Sequence, residues 1–206
     1  MYIYLVRHGQ TGEGAQEIFR GKKDIPLNAL GREQAERTGD YFSDKRIGRI
    51  LASPLERAWH TAKKISQIAR VPVEKVEGLS DMSFGAWEGL TLNEVQKRYP
   101  GDFEKWRNTP HKLKIPGGES LSIVRRRLAE TLGVLLSKRE DDVVLVTHRI
   151  ILKLAVLHLL NISSSHFWDM QFDPGSVTLL KNKDGRTTVL VSNETCHLKS
   201  APHSRA

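Results

Sequence analysis

Arg7-His8-Gly9 follows directly on the apolar run Tyr2-Ile3-Tyr4-Leu5-Val6, and His148 follows Val143-Val144-Leu145-Val146-Thr147. Each stretch sets an imidazole where a buried strand would end, the edge at which α/β sheets hold ligands. A neutral imidazole can attack a phosphoryl group covalently, and the Arg7 guanidinium offers a planar fork of donors that fits phosphate oxygens. One strand-end histidine would read as a hydrogen-bonded residue at an element boundary. Two of them, with an arginine beside the first, point to phosphoryl chemistry. Ser53-Pro54-Leu55-Glu56 adds to this. It carries the marks of a helix start: Ser as N-cap, Pro at the first helical position and Glu completing a capping box. Arg57 then falls in the first helical turn, where the helix terminus already favours an anion and the arginine adds a second bidentate donor.

These groups need a scaffold. Apolar runs at 2–6, 50–52, 73–76, 143–147, 177–180 and 188–191 read as strands, and 30–42, 54–69, 92–99, 121–137 and 150–160 as helices. Their alternation predicts an α/β fold, a three-layer αβα arrangement with a mostly parallel central sheet covered on both faces. Leu121, Val124, Leu128, Leu132 and Leu135 keep the spacing of one helix face and belong to the core. Between 92 and 119 the pattern loosens around Pro100-Gly101, Thr109-Pro110 and Pro116-Gly117-Gly118. Such a stretch is too long for a plain loop, so the reading is one domain over 1–206 with a short helical cap or lid at about 91–118.

At 206 residues the chain fits one α/β domain. A net charge of +8 would suit nucleic acid, an anionic surface or a small anionic substrate. The basic residues are scattered, without zinc-finger spacing or an aromatic-rich strand signature, so neither nucleic acid nor a membrane is expected as partner. The most apolar stretch, 150–160, is broken by Lys153 and His158 and falls short of the ~20 residues of a membrane span. The single Cys196 and the lack of a leader-like N-terminus point to the cytoplasm. Neither metal-ligand spacing nor a nucleotide fingerprint occurs, so no metal or other cofactor is expected. The remaining histidines read as structural or surface residues, with His111 in the lid and His197 in the tail set apart.

In order along the chain, Arg7-His8-Gly9-Gln10-Thr11, Asp24-Ile25-Pro26-Leu27 with Gly31-Arg32, Ser53-Pro54-Leu55-Glu56-Arg57-Ala58 with Thr61-Ala62, Phe84-Gly85-Ala86-Trp87-Glu88-Gly89, Gly117-Gly118-Glu119-Ser120 and Val146-Thr147-His148 resemble the histidine phosphatase (phosphoglycerate mutase-like) superfamily. The resemblance implies that His8 is the nucleophile, that Arg7 and Arg57 hold the phosphate, and that His148 is the second histidine of the cradle. Thr11, Arg20 and Arg149 are expected to bind substrate. One carboxyl should protonate the leaving oxygen and later activate water. The family has a glutamate four residues before Gly85, and here that position holds Asp81, one methylene shorter; Glu88 is the other nearby carboxyl and reads as a residue packing the turn. The chain departs from the pattern at three further places: Gly14 where the family often has asparagine, Arg20 where it often has glutamine, and Arg149 where a glycine is usual.

The lid pattern Tyr99-Pro100-x-Asp102-Phe103-x-x-Trp106 and the Cys196-His197 tail look most like the metal-independent phosphoserine phosphatases and α-ribazole phosphatases. The implied activity is that of a histidine acid-type phosphatase, a phosphoric monoester hydrolase acting on a small phosphorylated metabolite, with a homodimer as an open assembly. Two alternatives stand beside it: a phosphoglycerate mutase, and a phosphate-binding module with weakened catalysis.

Overall fold

The computed structural model describes residues 1–12, 18–136 and 141–199. Gly14 lies outside them. Among the described residues six strands form one sheet in the order β3-β2-β4-β1-β5-β6. Strands β1 (Tyr2–Arg7), β2 (Arg49–Ala52), β3 (Val73–Lys75) and β4 (Val143–Thr147) run parallel. At one edge β5 (Val177–Lys183) and β6 (Arg186–Glu194) pair antiparallel.

The pleat sends alternate residues of the central strands to two cores. Ile3, Leu5, Leu51, Val143 and Leu145 face one side with α5 (Leu121–Leu136), α6 (Arg149–Leu159) and the 92–115 segment. Tyr4, Val6, Ile50, Val144 and Val146 face the other, against α2 (Glu56–Ala69), on which α1 (Ala29–Asp40) is stacked. This is the three-layer α/β arrangement. A predominantly apolar helix must be buried, and α6 is, from Ile150 to Leu157 with Lys153 among them.

The 92–115 segment is helical: α3 (Leu92–Arg98), closed at its start by a Thr91/Glu94 capping box, then α4 (Pro100–Asn108). Pro100 begins the second helix because its missing N–H and fixed φ suit a first-turn position. Val95, Phe103, Trp106, Leu113 and Ile115 are buried in the main core.

Two glycines lock the loop after β1. A Cβ on Gly31 would lie 1.9 Å from the Gln10 carbonyl oxygen, and one on Gly9 would lie 2.3 Å from that of Gly31. The loop carrying His8 therefore rests on α1 with no room for a side chain between them.

Candidate active site

The carboxyl ends of β1, β2 and β4 open onto one cavity of about 650 Å³, lined in part by Arg7, His8, Thr11, Arg20, Arg57, Asp81 and Arg149. His8 follows β1, and its backbone N–H is bonded to the Thr147 carbonyl at the end of β4. The His8 ring is buried, and its Nδ1–H donates to Gly9 O at 2.6 Å. That bond fixes the tautomer and leaves the Nε2 lone pair available. Burial, reinforced by Arg57 and Arg7, holds the imidazole well below its ordinary pKa, so it is neutral at pH 7. A neutral, oriented imidazole is what nucleophilic attack requires.

Arg7 donates from Nη1 to Phe172 O at 2.6 Å, while its buried Nε has no protein partner. Burial first, then the nearby Arg149, lower it to about 10, and it stays charged at neutral pH. A buried guanidinium donor left over by the protein is suited to an anion.

Arg57 is completely buried. Its Nη1 donates to Lys23 O and its Nη2 to Gly21 O, both at 2.8 Å, while Nη2 also reaches Asp81 Oδ2 at 3.2 Å and Nε donates to His148 Nδ1 at 3.2 Å. His148 stands behind this group, its ring 5.1 Å from that of His8. With Nδ1 accepting, Nε2 carries the proton and donates to Ser53 Oγ at 2.8 Å. Burial first, then Arg57, keep His148 well below its ordinary pKa. It is therefore neutral and orients Arg57, so the positive charge of the cradle comes from the arginines.

Ser53 does not cap α2, contrary to the capping-box expectation. The helix begins at Glu56 with Leu55 as a cap that makes no side-chain bond, and the Glu56 N–H goes to Asp24 Oδ1 at 2.7 Å. The buried Ser53 hydroxyl is drawn to His148, which would otherwise hold an unmet N–H; an aspartate from a distant loop takes over the helix terminus. This gives the Asp24-Ile25-Pro26-Leu27 motif its structural reason.

Asp81 lies in the cavity wall and is buried. Burial pushes its carboxyl above the usual carboxylate range, with Arg57 pulling the other way. Arg127 holds the loop by donating to Gly78 O, Asp81 O and Glu119 Oε1 at 2.8, 3.1 and 3.1 Å, and Glu119 in turn takes the Ser83 N–H at 2.8 Å. Gly85, at φ +48°, and the Pro116-Gly117-Gly118 turn touch so closely that a Cβ on Gly85 would lie 2.3 Å from Pro116 O. Glu88 is occupied elsewhere: its Oε1 accepts from Phe84 N, Ser83 Oγ and Lys22 N at 3.0 to 3.3 Å, and it does not line the cavity.

Arg20 donates to Thr11 O at 3.0 Å, so these two rim residues are coupled. Arg149 opens α6 at the cavity edge. His197 is part of the structure and not of the cavity, bonding Gly175 O at 3.1 Å beside α1. Sequence reasoning missed three participants: Ser53 as partner of His148, Arg127 as anchor of the Asp81 loop, and Lys153. The signal for Lys153 was present, since it is the one charged residue within the apolar stretch Ile150 to Leu157 of α6.

Replacing Arg57 by lysine removes a fork that serves two backbone carbonyls, a carboxylate and an imidazole at once, and one ammonium cannot span them. Arg57→Lys is expected to lose on the order of 10²-fold or more in kcat/KM, the scale of one preorganised donor. Steady-state kinetics on an aryl phosphate give the answer, and near wild-type efficiency would remove Arg57 from the cradle.

The profile of the histidine phosphatase superfamily (branch 1) matches residues 3–195. Phosphoserine phosphatase 1 of Hydrogenobacter thermophilus is 30% identical over 197 residues, covering 95% of this chain and 93% of that protein. The adenosylcobalamin/α-ribazole phosphatase of Escherichia coli K12 is 25% identical over 94% of this chain and 96% of its own length. Among solved structures, Bacillus stearothermophilus YhfR superposes with a TM-score of 0.89 at 27% identity, over 96% of this chain and 99% of that one.

Proposed function

Since the chain belongs to the histidine phosphatase superfamily, branch 1, we propose that it is a metal-independent phosphomonoesterase that hydrolyses a small phosphorylated metabolite through a phosphohistidine on His8. The observation that carries this reading is the neutral His8 ring, with Nδ1 tied to Gly9 O and the arginines of the cradle around it. Nε2 attacks phosphorus in line with the ester oxygen. As the N–P bond forms, the P–O bond to the alcohol breaks and Asp81 gives its proton to the leaving oxygen. Arg7 and Arg57 balance charge on the transferring oxygens, where phosphoryl transfer needs it most. Water then attacks the phosphohistidine and passes a proton back to Asp81. The N–P electrons return to Nε2, and inorganic phosphate leaves.

The relatives named for phosphoserine and α-ribazole support hydrolysis. Thr11 and Arg20, bonded to one another, and Arg149 on the helix that follows His148 supply the rim that receives the ester.

The cradle's guanidinium groups take the part of a Lewis acid in this scheme, so activity is expected to survive chelation. The measurement is the rate of hydrolysis of a chromogenic aryl phosphate before and after exhaustive EDTA treatment. A collapse that magnesium or zinc restores would contradict the metal-independent route, and no turnover under any condition would contradict the phosphatase reading itself.

A further inference from the structure

Lys153 is a buried cation with no part in the chemistry derived above. It sits within the apolar stretch of α6 and is 3% exposed. Taking an ammonium out of water is costly unless polar partners surround it. Here they come from four consecutive residues. The Lys153 Nζ donates to Phe167 O at 3.0 Å and to Met170 O at 2.5 Å, and it stands 5.2 and 4.7 Å from the centres of the Phe167 and Trp168 rings. The carboxylate of Asp169 acts on it as well. Burial first, then Arg149, lower this lysine to about 8 while Asp169 raises it, so it stays charged at neutral pH.

The stretch that Lys153 gathers leads directly to Arg7. Residues 170–173 belong to no helix or strand, so no ladder of backbone bonds fixes their path. Lys153 pins the stretch at its start, through the Phe167 and Met170 carbonyls. Asn193 pins its end: Oδ1 accepts from the Asp173 N–H at 2.7 Å, and Nδ2 donates to Asp173 Oδ2 at 2.8 Å. Between the two pins lies Phe172, whose carbonyl accepts from Arg7 Nη1 at 2.6 Å. Because Arg7 Nε has no protein partner, the direction of this fork is set at the Phe172 carbonyl. Met170 and Phe172 are two residues apart, at most ~7 Å of extended chain, so a displacement of Met170 carries over to that carbonyl.

We propose that Lys153 is a positioning residue, which fixes the 167–172 stretch so that the Phe172 carbonyl keeps the Arg7 guanidinium aimed at the phosphoryl group. The assignment rests on the phosphomonoester reading above, in which Arg7 meets the transferring oxygens. Lys153 itself touches neither substrate nor the reacting atoms. Its two carbonyl bonds replace the regular structure that this stretch lacks.

A double-mutant cycle on aryl phosphate hydrolysis separates this role from direct contact with substrate and from general support of the fold. Lys153→Met keeps the apolar stem and removes the donors. It is expected to lower kcat/KM about 10- to 10²-fold, the scale of a small misplacement of a binding group. In an Arg7→Met background the same change is expected to cost about twofold or less, because the group it positions is gone. A lysine that touched substrate, or merely supported the fold, would cost as much in one background as in the other. Equal losses in the two backgrounds, or wild-type efficiency in a folded Lys153→Met, overturn the assignment. Should Lys153→Met not fold, the cycle is run with Lys153→Gln, polar but shorter, under the same criteria. Absence of turnover in the wild-type protein would strike the phosphatase reading and this assignment with it, whereas equal losses strike the assignment alone.

Discussion

Replacing His8 by alanine is expected to abolish turnover, by a factor on the order of 10⁵ or more, the scale seen when a covalent nucleophile is removed. The expectation follows from geometry. His8 is buried, neutral and oriented by Gly9 O, and it stands at the cavity floor with Arg7 and Arg57. His148 cannot substitute, because both its ring nitrogens are engaged by Arg57 and Ser53. Wild-type protein quenched in alkali during turnover of a radiolabelled phosphomonoester should carry acid-labile label, and His8→Ala should carry none. The variant removes a side chain at a strand end and leaves the sheet contacts in place, so its circular dichroism should match the parent. Normal activity in the folded variant would end the covalent-histidine mechanism.

Asp81→Asn is expected to separate two classes of substrate. An alkyl ester must have its leaving oxygen protonated, and loss of the general acid should slow it about 10²- to 10⁴-fold. An aryl phosphate leaves without that help and should be far less affected. The pH profile supplies a second reading. Wild-type kcat/KM for an alkyl ester should fall in acid only as His8 takes up a proton, well below its ordinary value, because its pKa is lowered. On the alkaline side it should fall as Asp81 loses its proton, above the usual carboxylate range, because burial raises it. Asp81→Asn should remove that alkaline limb, whereas Asp81→Glu should retain it. If Asp81→Asn leaves alkyl phosphates untouched and Glu88→Gln abolishes their hydrolysis, the acid is Glu88.

The strands and most helices were legible because each is a strongly patterned run: β4 is buried at every position, and α5 buries Leu121, Val124, Leu128 and Leu132 on one face. The direction of β5 and β6 was not legible, since an apolar run reads the same whichever way it pairs. Pro100-Gly101 read as a break, yet Pro100 opens α4, because proline stops a helix from within and suits its first turn. At the site, Arg7, His8 and Arg57 were readable from local motifs and Asp81, Thr11, Arg20 and Arg149 from the family resemblance, and all seven line one cavity. Ser53 was misread because capping rules describe a helix in isolation, and the competing demand came from a histidine 95 residues away. Arg127 was hidden for the same reason: its partners at 78, 81 and 119 adjoin it only in the folded chain.

The pairing of β1 with β4 sets Ile3 opposite Val143 and closes with Arg7 opposite Thr147, so β1 waits for a strand far along the chain before it has this neighbour. Closing so long a span must precede any reward from the contacts it creates, which makes this a late event in folding. Until then His8 lacks the bond from its backbone to Thr147 and the enclosure that depresses its basicity. Before that pairing the chain carries a solvated imidazole, and the neutral, oriented ring of His8 comes with the closing of β1 on β4.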